Sequence, residues 1–157
     1  MAVQPKDSAL NEALRLDFTA ARTPRTGDDL GATVLECLAA APEPLTACVV
    51  VYDLAGLPTG TYCLDPAGLL HRIHPRPPTP AHPAADVAVL IGGRAPATPA
   101  DFRRLALAAG VAAHHLSARL GTGFHVVTCD DDTTAWPLAA ANGATTHLTT
   151  VTGKEPR

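Results

Sequence analysis

The stretch from Thr98 to Gly121 constrains this chain more than any other. Thr98-Pro99-Ala100-Asp101 supplies a helix N-cap, a proline at the first helical position and an acid at the third. Phe102, Leu105, Ala109, Leu116 and Leu120 then recur at helical intervals as far as Gly121. A long helix with one apolar stripe is therefore expected, and that stripe must be buried against other elements. The small side chains of Ala106, Ala108, Ala109, Ala112 and Ala113 would let a second helix approach closely. After the Gly121–Gly123 turn, Phe124 to Thr128 reads as a strand, and Asp130 to Asp132 offer caps for a short helix ending near Gly143.

The rest of the chain supplies partners for this helix. Ser8 to Leu16 is a short helical candidate with Leu10, Ala13 and Leu14 on one face. A better-marked helix follows Thr26-Gly27-Asp28-Asp29, which has capping-box spacing, with Leu30, Val34, Leu35 and Leu38 at helical intervals, and it should stop before Pro42. Ala47 to Tyr52 is a continuous apolar, Val-rich run, as expected of a central strand buried on both faces. Two turns, Gly56-Leu57-Pro58-Thr59-Gly60 and Asp65-Pro66-Ala67-Gly68, bracket Thr61 to Leu64, so this segment and Leu69 to Ile73 read as short antiparallel strands. Five prolines between Pro75 and Pro83 impose an extended, unpaired surface loop over residues 75–84. Val87 to Gly92 is another buried strand, and Thr145 to Thr152 a final one of alternating character. The expected architecture is an α+β sandwich with a central, mostly antiparallel sheet flanked by helices, residues 1–157 forming a single domain.

Composition excludes several functions. A chain of 157 residues buries about two thirds of the surface its unfolded form would expose. With 46% hydrophobic but only 4% aromatic residues, the interior must be built from Ala, Val and Leu. Such a core is shallow and leans towards a partner subunit. A net charge of −3 and the lack of a Lys/Arg stripe argue against nucleic acid. The longest apolar runs fall well short of the roughly 20 residues of a membrane span, and the N-terminus lacks a signal-peptide pattern. A soluble cytoplasmic protein is the expectation.

Candidate metal and nucleophile chemistry is weak. Cys37, Cys48, Cys63 and Cys129 show no C-x-x-C pairing and lie in or beside apolar segments, which reads as buried free thiols. Cys129 borders the acidic run, where nearby carboxylates would disfavour a thiolate. His71 and His74 lie three apart on a strand and should point to opposite faces, while His114 and His115 are about a hundred degrees apart on a helix, so no metal site is expected. A histidine of that helix could still donate a hydrogen bond to a ligand. Gly121-Thr122-Gly123 follows a helix and precedes a strand, the reverse of a phosphate-cradling turn.

One segment points to a family. Gly56-Leu57-Pro58-Thr59-Gly60-Thr61-Tyr62-Cys63-Leu64-Asp65-Pro66 resembles the Gly-Leu-Pro-x-Gly-x-Tyr-x-x-Asp-Pro segment of SagB-type dehydrogenases, relatives of the FMN-dependent nitroreductases that oxidise azolines to azoles in peptide natural-product biosynthesis. Phe102-Arg103-Arg104-Leu105-Ala106-Leu107-Ala108-Ala109-Gly110 is similar to the helix that family writes as Tyr-Arg-x-x-Leu-x-Glu-Ala-Gly-His, with Ala108 in place of the Glu and Val111 in place of the His. The stretch from His147 to Lys154 fits the same frame.

The resemblance implies a nitroreductase-like fold binding FMN between two subunits, with the redox chemistry supplied by the cofactor. It also shows what has been trimmed. The family's basic N-terminal motif is echoed only by Arg15-Leu16-Asp17-Phe18, where Asp17 would repel a phosphate by about 4 kcal/mol per charge pair at about 4 Å in a surface-like dielectric. The Ser-x-Gly-x-x-Tyr-Pro-like stretch is replaced by Pro42-Glu43-Pro44-Leu45-Thr46, and the Lys-Tyr pair before the long helix has no counterpart between Gly92 and Pro99. Lys154, with Arg157 beyond it, stands where the family keeps a basic residue for the FMN phosphate.

The expectation is a degenerate subunit, with no catalytic residue of its own, that pairs with an intact nitroreductase-fold paralogue and either shares FMN at the interface or has lost it. Arg15, Arg22, Lys154 and Arg157 are its candidate cofactor-binding residues. An alternative is a homodimeric FMN oxidoreductase with a phosphate grip from Arg15, Arg22 or Arg25 together with Lys154. A third reading is a module that binds a precursor peptide.

Overall fold

A computed structural model describes residues 27–77, 85–127 and 145–154. Helix α1, Gly27–Ala39, turns its Leu30, Val34, Cys37 and Leu38 into the interior, as their spacing predicts. It closes with Ala40 N–H donating to the Glu36 carbonyl and Ala41 N–H to that of Leu38, before Pro42. Strand β1, Thr46–Val51, is the Val-rich run, and β2, Gly60–Leu64, and β3, Leu70–His74, complete a meander. Strand β4, Val87–Arg94, leads into helix α2, Pro99–Leu120. Strands β5, Phe124–Val127, and β6, Thr145–Gly153, finish the sheet. The Ser8–Leu16 helix and the Asp130–Gly143 helix expected from the sequence lie outside the described residues, as do Arg15, Arg22 and Arg157.

Among the described residues, six strands form one sheet in the order β3-β2-β1-β4-β6-β5, and every pairing between them is antiparallel. The fold is α+β. Strand β1 lies between β2 and β4, and five of its six residues are buried, which is what an unbroken apolar run requires of a central strand. Side chains alternate across it. Val49 and Val51 join Val87, Val89, Ile91 and Val151 in the core shared with α1 and with Ala109, Ala112, Ala113, Leu116 and Leu120 of α2. On the other side of the sheet, Cys48, Val50, Ala88 and Leu90 form a second buried cluster with Tyr52 packed against it. Fully burying a side chain the size of Leu116 or Val49 is worth roughly 1.5–3 kcal/mol, so the first cluster is the main source of stability.

One detail agrees with expectation and two differ. The small side chains of α2 are mostly turned inward: Ala108, Ala109, Ala112 and Ala113 are buried, and only Ala106 of that set is exposed. They let α2 settle closely on its own sheet and on α1, the second helix expected from the sequence. The third strand starts at Leu70, because Leu69 belongs to the preceding turn, where its N–H donates to Asp65 Oδ1 at 2.9 Å.

The second difference concerns the histidines. Tyr62 pairs with Arg72 and Thr61 with His74, so Ile73 is an extra bulged residue. Paired residues in an antiparallel ladder share a face, and His74 opposite Thr61 and His71 opposite Cys63 therefore lie on the same face. A bulge of one residue cancels the alternation that a spacing of three would impose.

Among the described residues, no helix is long and apolar enough to cross a membrane.

Candidate functional site

The junction of β4 and α2 is where the resemblance would place acid/base chemistry. Only Ala95 to Thr98 separate Arg94 from Pro99, and their polar groups serve the helix. Thr98 is extended and its hydroxyl accepts the Asp101 N–H at 3.1 Å. Asp101 is nearly inaccessible and its carboxylate accepts two bonds from the Arg94 guanidinium, each 2.5 Å. It also accepts the Ala97 N–H at 3.0 Å and Arg104 at 3.2 Å. Arg104 extends the chain of charges to Glu43 at 3.8 Å.

The Arg94 bonds, helped by the Ala97 N–H, hold the Asp101 carboxyl well below the usual carboxylate range. An anion with its lone pairs so fully engaged is a fixed strut and not a base. Beside it, Leu35, Leu38, Ala41, Pro42 and Leu45 line an open groove of about 430 Å³ with Glu43 at its rim.

The segment that carries the family resemblance forms the β1–β2 connection and the β2–β3 hairpin. Tyr62 is buried and its hydroxyl donates to the Pro58 carbonyl at 2.6 Å. Asp65 Oδ1 accepts the N–H groups of Ala67 and Leu69, both at 2.9 Å, while Oδ2 bonds the ring Nε2 of His71 at 2.6 Å. Gly60 has φ of 156°, and a Cβ there would lie 2.6 Å from the His74 carbonyl oxygen. Gly60, Tyr62 and Asp65 of this motif thus have structural duties in turning the chain.

Of the candidate cofactor-binding residues, the described structure contains Lys154. It is exposed just beyond β6, and its backbone N–H donates to the Gly123 carbonyl at 3.1 Å. The guanidinium groups of Arg94, Arg104 and Arg119 are engaged with Asp101, Glu43 and Glu36, and that of Arg72 with the carbonyls of Thr59 and Pro75. A phosphate needs several convergent donors. Lys154 alone does not fit that requirement, and no chemistry through FMN is derived from the described residues.

Two features were missed by sequence reasoning. The outward face of α2 exposes Phe102, Ala106, Leu107, Gly110 and His114, with Phe102 47% and Leu107 58% accessible. They mark one helix face, and Phe102, which the sequence spacing put in the buried stripe, belongs to this outward face instead. His115, by contrast, is buried, with its ring centroid 5.7 Å from that of His114.

The other feature is a row of chemically active side chains across three strands. Cys48 pairs with Cys63, and Cys63 with His71. The register that pairs Cys48 with Cys63 sets Val51 opposite Gly60 and is not centred on the Gly56–Gly60 turn, so the turn residues alone do not give it away. Among the described residues, no three His, Cys, Asp or Glu side chains are grouped to hold a metal ion.

A scan against protein-family models finds no match, and a search of curated proteins finds none either.

Proposed function

We propose that this chain is a reduced subunit of the nitroreductase-like, SagB-type fold that pairs with an intact flavin-bearing paralogue in azoline-oxidising peptide biosynthesis. The outward face of α2 carries the reading. Phe102 and Leu107 stand half-exposed on a helix that is otherwise capped and packed, with exposed Ala106 and Gly110 on the same face, where a partner's backbone can approach. The β2–β3 hairpin with its Tyr62 and Asp65 ties supports the scaffold, and the Asp101 strut supports a junction committed to structure rather than proton transfer. The chain's contribution is to form or buttress one wall of the partner's flavin site.

Co-expression with a nitroreductase-fold flavoprotein encoded beside it tests the reading. The two should co-purify with the flavin retained on the complex. Phe102→Asp with Leu107→Asp should abolish capture while leaving the unfolding midpoint of the isolated chain within experimental error. A stable monomer that captures no flavoprotein overturns the proposal, and a yellow protein purified alone would replace it with a self-sufficient enzyme.

A further inference from the structure

Cys48 and Cys63 are direct Cα partners across the central β1–β2 ladder, and both are free thiols. Paired residues share a face, so their side chains emerge on the same side of the sheet. In an antiparallel ladder the Cα atoms of such a pair are about 4.5 or 5.5 Å apart, according to the type of pairing. Both distances fall inside the roughly 4.4–6.8 Å span of disulfides. The strands hold this geometry from both sides: β1 is also paired with β4, and β2 with β3.

Accessibility divides the pair. Cys48 is fully buried against Val50, Ala88 and Leu90, whereas Cys63 is partly exposed and faces His71 on β3. Cys37 belongs to the core between sheet and helices, on the opposite side from Cys48, and so cannot compete for either sulfur.

We propose that Cys48 and Cys63 form a cross-strand dithiol that closes to a disulfide by exchange with a small disulfide of the glutathione class, entering at Cys63. The Cys63 sulfur attacks one sulfur of oxidised glutathione. A protein–glutathione disulfide forms and one glutathione leaves as its thiol, taking up the Cys63 proton. The Cys48 sulfur then attacks Cys63, the mixed disulfide breaks, and a second glutathione departs with the Cys48 proton. Two protein thiols are oxidised to one disulfide, and one glutathione disulfide is reduced to two thiols. Burial pushes the Cys48 thiol up to about 12, so the second step is the slower and the adduct on Cys63 accumulates first. The closed bond ties β1 to β2 around the Tyr52–Thr59 connection.

The test uses the full reduced chain, folded, with oxidised glutathione and mass spectrometry over time. The expected course is a glutathione adduct mapped to Cys63, then a species two hydrogens lighter than the starting protein. Its digest should join the Cys48 and Cys63 peptides, and a thiol reductant should reverse it. Cys48→Ala should stop at the Cys63 adduct, whereas Cys63→Ala should leave Cys48 unmodified. If Cys48→Ala does not fold, the wild-type peptide map decides alone. A bond to Cys37 or Cys129, closure only after addition of urea, or reduced thiols persisting in the folded protein would each overturn the proposal.

Discussion

Gly31→Ala and Gly110→Ala add the same methyl group to a helix interior, and they should move stability in opposite directions. Gly110 is exposed on α2, and a Cβ built there has nothing within 4 Å. Relief of the glycine penalty should stabilise that variant by about 1 kcal/mol. Gly31 on α1 faces the β2–β3 turn. A Cβ there overlaps the Gly68 carbonyl oxygen by more than an ångström relative to ordinary contact, with the Gly68 carbonyl carbon and Leu70 Cγ both at 3.3 Å.

The obstacle is backbone that cannot swing away. Gly68 has φ of 85°, and its N–H is held by the Asp65 carbonyl at 3.0 Å. Overpacking a rigid contact costs about 1–3 kcal/mol. Taking the upper end and subtracting the propensity gain of about 1 kcal/mol leaves Gly31→Ala destabilised by about 2 kcal/mol. The two variants should therefore differ by about 3 kcal/mol. In thermal melts Gly31→Ala should fall by roughly 4–8 °C and Gly110→Ala rise by roughly 2–4 °C. Urea unfolding followed by circular dichroism, with an unchanged slope, would measure both. If Gly31→Ala stabilises the chain as much as Gly110→Ala does, α1 does not rest on the Gly68 turn and this packing is wrong.

Asp101 sets a direction for pH dependence. Its carboxyl is depressed in the folded protein, chiefly by Arg94. The stability it contributes is therefore complete above the ordinary carboxylate value of about 3.9 and is lost as pH falls towards the folded value; Asp101→Asn should flatten the acid limb of a stability–pH curve below about pH 4. Tyr62→Phe removes the bond to the Pro58 carbonyl and should cost about 1 kcal/mol in urea unfolding, with no loss of sheet signal in the far ultraviolet. Leu116→Ala empties a fully buried position under the sheet and should cost about 2–5 kcal/mol by the same assay, whereas Leu107→Ala on the same helix should fall within about 0.5 kcal/mol of the parent.

Local signals in this chain were readable and long-range ones were not. The Thr98–Asp101 cap, the stop at Gly121 and the buried character of β1 depend on neighbours within a few residues, and each is present as the residue types require. The same carboxylate that accepts the Ala97 N–H just before the helix also grips Arg94 seven residues earlier, and nothing in either residue's own neighbourhood announces that bond. The bulge at Ile73 depends on the conformation between Gly60 and Arg76, including the Thr61 hydroxyl bond to the Arg76 carbonyl, and so the faces of His71 and His74 could not be read from spacing alone. The inward turn of the α2 alanines similarly depends on where α1 lies. Of the candidate cofactor-binding residues, Lys154 lies among the described residues, exposed just beyond β6.

The strand order has a consequence for how the molecule is made. Of the described strands, β6 is the last to be synthesised, yet it sits between β4 and β5. Until residues 145–153 emerge from the ribosome, β5 has no neighbour and one whole edge of β4 stays bare, with Val87, Val89 and Ile91 beside it. The three-stranded meander and β4 can assemble early because their contacts are closer in sequence, but the sheet is completed by a single late insertion. A nascent chain of this topology therefore exposes that edge of β4 from its own synthesis until residues 145–153 emerge, and β6 acts as the built-in cover for it.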